Sequence, residues 1–150
     1  MGGEYPSGRE FNFYGNNPLA TRQVIESWPG PVTFLGYELG KDVLTGAPLT
    51  VKVLPSDPVG AAYRWYTGYN ISRASWDPLT VLYACEGLGS LFEWGNEDGW
   101  NEVLEDGSNA WVEDPERTDQ HWLRLKVDEE TAARRIDEMF LEAALAAQEP

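Results

Sequence analysis

Residues 31–39 constrain the fold more than any other stretch of this chain. The run Val32-Thr33-Phe34-Leu35-Gly36-Tyr37 is almost continuously apolar, whereas a strand with one wet face alternates. A short apolar run without alternation is the pattern of a strand covered on both faces of a parallel sheet. Helical patterns flank it. Asn17-Pro18 followed by Leu19, Ala20, Val24, Ile25 and Trp28 predicts a helix with proline at its permissive first position, stopped by Pro29-Gly30. Residues 41–46 allow one helical turn. Asp57-Pro58 opens a second helix with Val59, Ala62, Tyr63, Tyr66 and Tyr69 at helical spacing, and Asp77-Pro78 a third over residues 79–86, apolar nearly all round and therefore buried.

After Gly89 the texture changes to Gly, Asp, Asn and Trp, with Asp106-Gly107 as a hairpin turn. His121-Trp122-Leu123-Arg124-Leu125-Lys126-Val127 alternates strictly and predicts a strand with one apolar face. Asp128 then caps a last helix whose buried stripe is Ala133, Ile136, Met139, Phe140 and Ala143, with a frayed tail beyond Ala147. No repeat or linker interrupts the 150 residues, so the chain reads as a single α/β unit with a small antiparallel appendage.

Charge limits the partners. Twenty-five acidic against eleven basic residues leave a formal charge of −14, which opposes nucleic acid and anionic membranes and favours a neutral or cationic ligand or a metal ion. No apolar run is long enough to span a bilayer, and Met1-Gly2-Gly3 does not read as a signal peptide, so the compartment stays open between cytoplasm and exterior. The single Cys85 is expected to pack as a small apolar side chain.

P-loop, dinucleotide, zinc and nucleophile-elbow signatures are all absent. The only histidine, His121, shares the apolar face of its predicted strand, which fits a hydrogen-bonded structural residue better than a catalytic one. Two segments remain. In Arg9-Glu10-Phe11-Asn12-Phe13, read as extended, Glu10 and Asn12 emerge on one face and form a ledge suited to hydroxyl groups, or else Glu10 pairs with Arg9 or Arg22. In Ser75-Trp76-Asp77-Pro78, Asp77 either caps the helix that Pro78 opens or offers a hard cation an oxygen ligand.

Met1-Gly2-Gly3, Glu10-Phe11-Asn12-Phe13, Asn17-Pro18-Leu19-Ala20 and Trp76-Asp77-Pro78-Leu79, in that order, closely resemble the central and later motifs of the inosine/uridine-preferring nucleoside hydrolases. The resemblance runs down to the last helix. It implies the C-terminal half of an open, mainly parallel, Rossmann-like sheet with flanking helices, plus a small antiparallel hairpin. It implies hydrolysis of the N-glycosidic bond of ribonucleosides to ribose and free base, with Ca²⁺ holding the ribose hydroxyls and the attacking water. Carried over by motif, Glu10 binds the ribose around its 5′ hydroxyl and Asn12 its 2′ side. Asp77 ligates Ca²⁺ and touches the 3′ hydroxyl, Met1 packs on the sugar, and Trp76 lies beside the substrate. The whole enzyme is expected to be a homo-oligomer.

Three departures qualify that picture. The family's N-terminal aspartate cluster, with most metal ligands and the general base, has no counterpart in this sequence, so the chain is expected to be inactive alone. Trp76 stands where many members carry a proton-donating histidine. The loop from Gly3 to Glu10 lacks an asparagine used on the 5′ hydroxyl, with Ser7 as the substitute. The rival reading is a non-catalytic module whose aromatics, among seven Trp and seven Tyr, form a platform for carbohydrate or a protein partner between Trp94 and Trp111; ordinary packing is the simpler account of those rings.

Overall fold

The helix starts obey their capping signals. In the computed structural model, which describes residues 1–147, Asn17, Asp57 and Asp128 each accept a backbone N–H three residues on, from Ala20, Gly60 and Thr131. These bonds satisfy donors that the first turn of a helix leaves free. The chain runs β1 (Ser7–Gly8), α1 (Phe11–Tyr14), α2 (Pro18–Ser27), β2 (Val32–Phe34), α3 (Tyr37–Gly40), β3 (Leu44–Thr45), α4 (Ala47–Lys52), α5 (Pro58–Tyr66) and β4 (Arg73–Ala74). It continues through α6 (Trp76–Glu86), β5 (Phe92–Trp94), β6 (Gly99–Val103), β7 (Asn109–Glu113), β8 (Gln120–Leu125) and α7 (Glu129–Ala146). Among the described residues no helix is long and apolar enough to cross a membrane.

The architecture is mixed α/β, in three small sheets ordered β1-β7-β6, β2-β8-β5 and β3-β4. Of their pairings only β2 with β8 is parallel, in the register Val32↔Gln120 to Phe34↔Trp122. The expected open, mainly parallel sheet is thus reduced to one parallel pair, because β5 returns antiparallel on the other side of β8. The β6–β7 hairpin turns at Gly107, whose φ of +80° suits glycine.

The central sheet is covered on both faces at its middle. Phe34 and Trp122 belong to a core with Tyr5, Phe13, Ile25 and Val103. Their neighbours Leu35 and Leu123 point the other way, into a second core with Leu39, Leu79, Leu82, Ala132 and Ile136. Successive residues of a strand face opposite sides, so β8 is buried on two faces here rather than on the single one its alternation predicted.

Several elements differ from their sequence pattern. The apolar run is a strand only as far as Phe34, after which Leu35 and Gly36 lead into α3. Residues 41–46 hold β3 rather than a helical turn. On α5 it is Gly60 and Tyr63 that turn inward; Val59 and Tyr66 are exposed. Helix α6 is buried at Leu79 and Leu82 alone, while Val81 and Cys85 reach solvent, so the thiol is not packed as expected. The buried stripe of α7 is Ala132, Ile136 and Ala144, with Ala143 exposed on an apolar groove between α6 and α7. The predicted fraying beyond Ala147 lies outside the described residues.

Candidate functional site

The segment 35–40 joins the two candidate regions. Gly2 donates its N–H to the Leu35 carbonyl at 3.0 Å, and the Tyr37 N–H returns to the Gly3 carbonyl at 2.9 Å, which lays the N-terminal loop along the end of β2. At the other end of α3, the Ser75 N–H bonds the Gly40 carbonyl at 3.1 Å. A Cβ on Gly40 would come 2.8 Å from the Trp76 Cα, so the close approach of α3 and α6 requires glycine there. Ser75, fully buried, also bonds Thr45 through its hydroxyl at 2.6 Å. One short helix thus clamps the opening loop and the start of α6 side by side.

Between them lies a cleft of about 450 Å³, and Met1, Glu10, Asn12, Trp76 and Asp77 all line it. All five residues proposed from the sequence therefore share one cavity, although they come from opposite halves of the first 80 positions. The route is not the one the alternation suggested. Glu10 is extended, with φ −104° and ψ 146°, but as the N-cap of α1, and from Phe11 the chain is helical.

Glu10 is consequently turned inward, only 6% exposed. Its Oε2 accepts the Gly3 N–H at 3.2 Å, and the Asn12 N–H lies 3.0 and 2.9 Å from its two oxygens. Neither Arg9 nor Arg22 pairs with it; Arg22 bonds Glu26, and Arg9 lies nearest Asp106. A carboxylate held by backbone donors keeps lone pairs for a further donor such as a hydroxyl. Asn12 is exposed and donates from Nδ2 to the Met1 sulfur at 2.9 Å, leaving its carbonyl oxygen free among the described residues.

Asp77 sits in the first turn of α6 but does not cap it; Ser75 is the N-cap. Its carboxylate is exposed and forms no salt bridge among the described residues. Beside it Trp76 donates Nε1–H to the Tyr37 carbonyl at 2.8 Å and stacks on the Tyr37 ring, centroids 5.6 Å apart at 24°. Ser7 pairs with Ala110 in β1 and does not line the cleft.

The sequence reading missed six further lining residues, Glu4, Arg9, Phe11, Tyr14, Tyr37 and Arg73. Phe11 and Tyr14 meet edge to face at 5.6 Å, so the cleft carries two aromatic pairs. Phe11 and Tyr37 are exposed, Tyr14 and Trp76 half-buried, and such a wall of rings suits the C–H faces of a sugar or a planar base. Tyr37 escaped notice because it closed an apolar run read as a buried strand; it is 42% exposed. Behind the site, burial and the nearby Glu38 and Glu10 carboxylates push the Tyr5 hydroxyl well above its ordinary range.

Calcium takes six to eight oxygen ligands. Glu10 accepts backbone donors and Glu4 the Arg9 N–H at 3.3 Å, whereas the Asp77 carboxylate forms no salt bridge among the described residues. Among the described residues no three His, Cys, Asp or Glu side chains converge. His121 lies away from the cleft, stacked on Trp94 at 4.3 Å with Nδ1 3.3 Å from the Asn96 amide nitrogen. Trp111 packs on the core and Trp100 lies under the Arg117 guanidinium.

The chain matches no protein-family model, no curated protein and no solved structure.

Proposed function

We propose that this chain supplies the ribose-binding part of a ribonucleoside N-glycosidase of the inosine/uridine-preferring type and does not turn substrate over alone. The observation that carries the reading is the single cleft gathering Met1, Glu10, Asn12, Trp76 and Asp77. In this reading Glu10 and Asn12 hold sugar hydroxyls, Trp76 and Tyr37 flank the ring or the base, and Asp77 contributes one carboxylate to a Ca²⁺ ion. That ion, when bound, polarises the attacking water. Its other ligands and the general base come from outside this chain, and β2, the edge strand parallel to β8, is where a larger parallel sheet continues.

Calorimetric titration with ribose and uridine, with and without Ca²⁺, alongside a reducing-sugar assay, tests the proposal. Ribose and uridine are expected to bind without turnover. Asn12→Ala and Asp77→Ala are each expected to weaken binding about tenfold, the loss of one hydrogen bond or one metal contact. Robust hydrolysis by the chain alone overturns the half-site. The two aromatic pairs of the cleft, Phe11–Tyr14 and Tyr37–Trp76, favour one second reading, a non-catalytic carbohydrate-binding module. Calcium-independent binding of oligosaccharides, with no binding of ribonucleosides, decides for it.

A further inference from the structure

The central sheet ends at β2, which pairs with β8 on one side and with no strand on the other among the described residues. In a parallel ladder the residues of a strand bond to its two sides in alternation. The Val32 N–H goes to the Asp119 carbonyl at 2.9 Å, toward β8, so the Thr33 N–H and carbonyl turn to the open side. Leu35, two residues on, faces the same way. Its carbonyl takes the Gly2 N–H at 3.0 Å, while the Tyr37 N–H meets the Gly3 carbonyl at 2.9 Å. Gly2 and Gly3 therefore run beside residues 35–37 in the direction of β2. Next to β2 itself the same row holds no strand among the described residues. A groove of about 510 Å³ lies there, between Val32, Thr33 and Phe34 on one wall and Ala20, Val24 and Ile25 of α2 on the other, with Met1 and Gly2 at the Leu35 end.

An open strand edge beside an apolar helix face is a seat for a further strand, whose main chain bonds the edge and whose alternate side chains fill the groove. Val24 is 55% exposed, Val32 and Thr33 are half-buried, and no charged side chain lines the groove. A strand that continues the row of Gly2 and Gly3 runs parallel to β2. We propose that the groove binds a Val- and Ile-rich extended segment of a second polypeptide as a strand parallel to β2, ending at Met1. The formal charge of −14 favours a segment with basic flanks. Met1 and Asn12 line groove and cleft alike, so a chain docked here lies against the cleft, where the proposed function needs its missing ligands. This rests on the reading of β2 as the edge where the sheet continues.

Titration of the full chain with a short synthetic peptide of alternating Val and Thr flanked by lysines, followed through amide chemical shifts, tests it. The peptide is expected to shift the Thr33 and Gly2 amides. A spin label at its C-terminal end should broaden Gly2 and Gly3 more than Val32, and one at its N-terminal end the reverse. Thr33→Pro removes the open-side donor without touching the β2–β8 bonds, and Val24→Lys puts a charge into the groove; each should weaken the peptide about tenfold or more. Absence of binding, the opposite label pattern, or an affinity untouched by both variants overturns the proposal. So does a peptide-free dimer in sedimentation that Thr33→Pro dissolves, since a second copy is then the occupant. Uridine calorimetry on the same samples separates the two readings. Uridine binding without peptide binding removes the strand and leaves the ribose site, whereas docking without uridine binding removes the ribose site and leaves the strand.

Discussion

Glu10→Ala should destabilise the fold far more than Asp77→Ala, although both residues line the same cleft. Glu10 holds two backbone donors, and the Gly3 N–H it accepts is buried. Deleting the carboxylate leaves that donor without a partner, which costs about 1–3 kcal/mol. It also removes the cap of α1, worth about 0.5–2 kcal/mol and toward the low end for a helix of one turn. Together these predict a loss of about 2–4 kcal/mol. Glu10→Gln keeps one acceptor oxygen and should lose about 1 kcal/mol. Asp77 is exposed and caps nothing, so its replacement should stay within about 0.5 kcal/mol. Urea unfolding followed by tryptophan fluorescence measures all three as shifts in midpoint at unchanged slope. If Glu10→Ala moves the midpoint no further than Asp77→Ala, the carboxylate is not the buried anchor described above, and the account of how the opening loop is held is wrong.

Two further outcomes are expected. Burial first, and then the nearby Glu4 charge, raise the Glu38 carboxyl above its ordinary range against the opposing Tyr5 N–H, and its Oε1 has no partner among the described residues. A carboxyl raised in the fold contributes stability that is full below its unfolded value, near pH 4, and is lost as pH rises through the folded one. Glu38→Gln, which never ionises, should therefore gain in urea midpoint relative to the parent chain as pH is raised from 4 to 7; a difference that does not vary with pH refutes the burial argument. Cys85 is exposed on α6, so the native chain should react with Ellman's reagent about as fast as the unfolded chain, whereas slow, unfolding-limited labelling contradicts the orientation of that helix.

Local chemistry was the legible part. Asn17, Asp57 and Asp128 announce helix starts because a cap is a bond between residues three apart, and Asp106-Gly107 announces its turn for the same reason. Legibility ended where a local rule met a distant partner. Alternation in residues 9–13 suggested a strand, but the Gly3 N–H takes the Glu10 carboxylate inward and turns the following residues into α1. Helix α6 is apolar around most of its circumference, yet only Leu79 and Leu82 are fully buried, with Trp76 and Tyr83 packed partly against the same core and Val81 exposed.

By itself the sequence determined where α2, α5 and α7 begin and that residues 32–35 sit in a two-faced core, and it singled out Met1, Glu10, Asn12, Trp76 and Asp77. Their assembly into a cleft was decided by the tertiary structure alone. Segment 35–40 bonds the opening loop at one end and Ser75 at the other, and no periodicity records such bonds because they depend on which surfaces meet after the chain has collapsed.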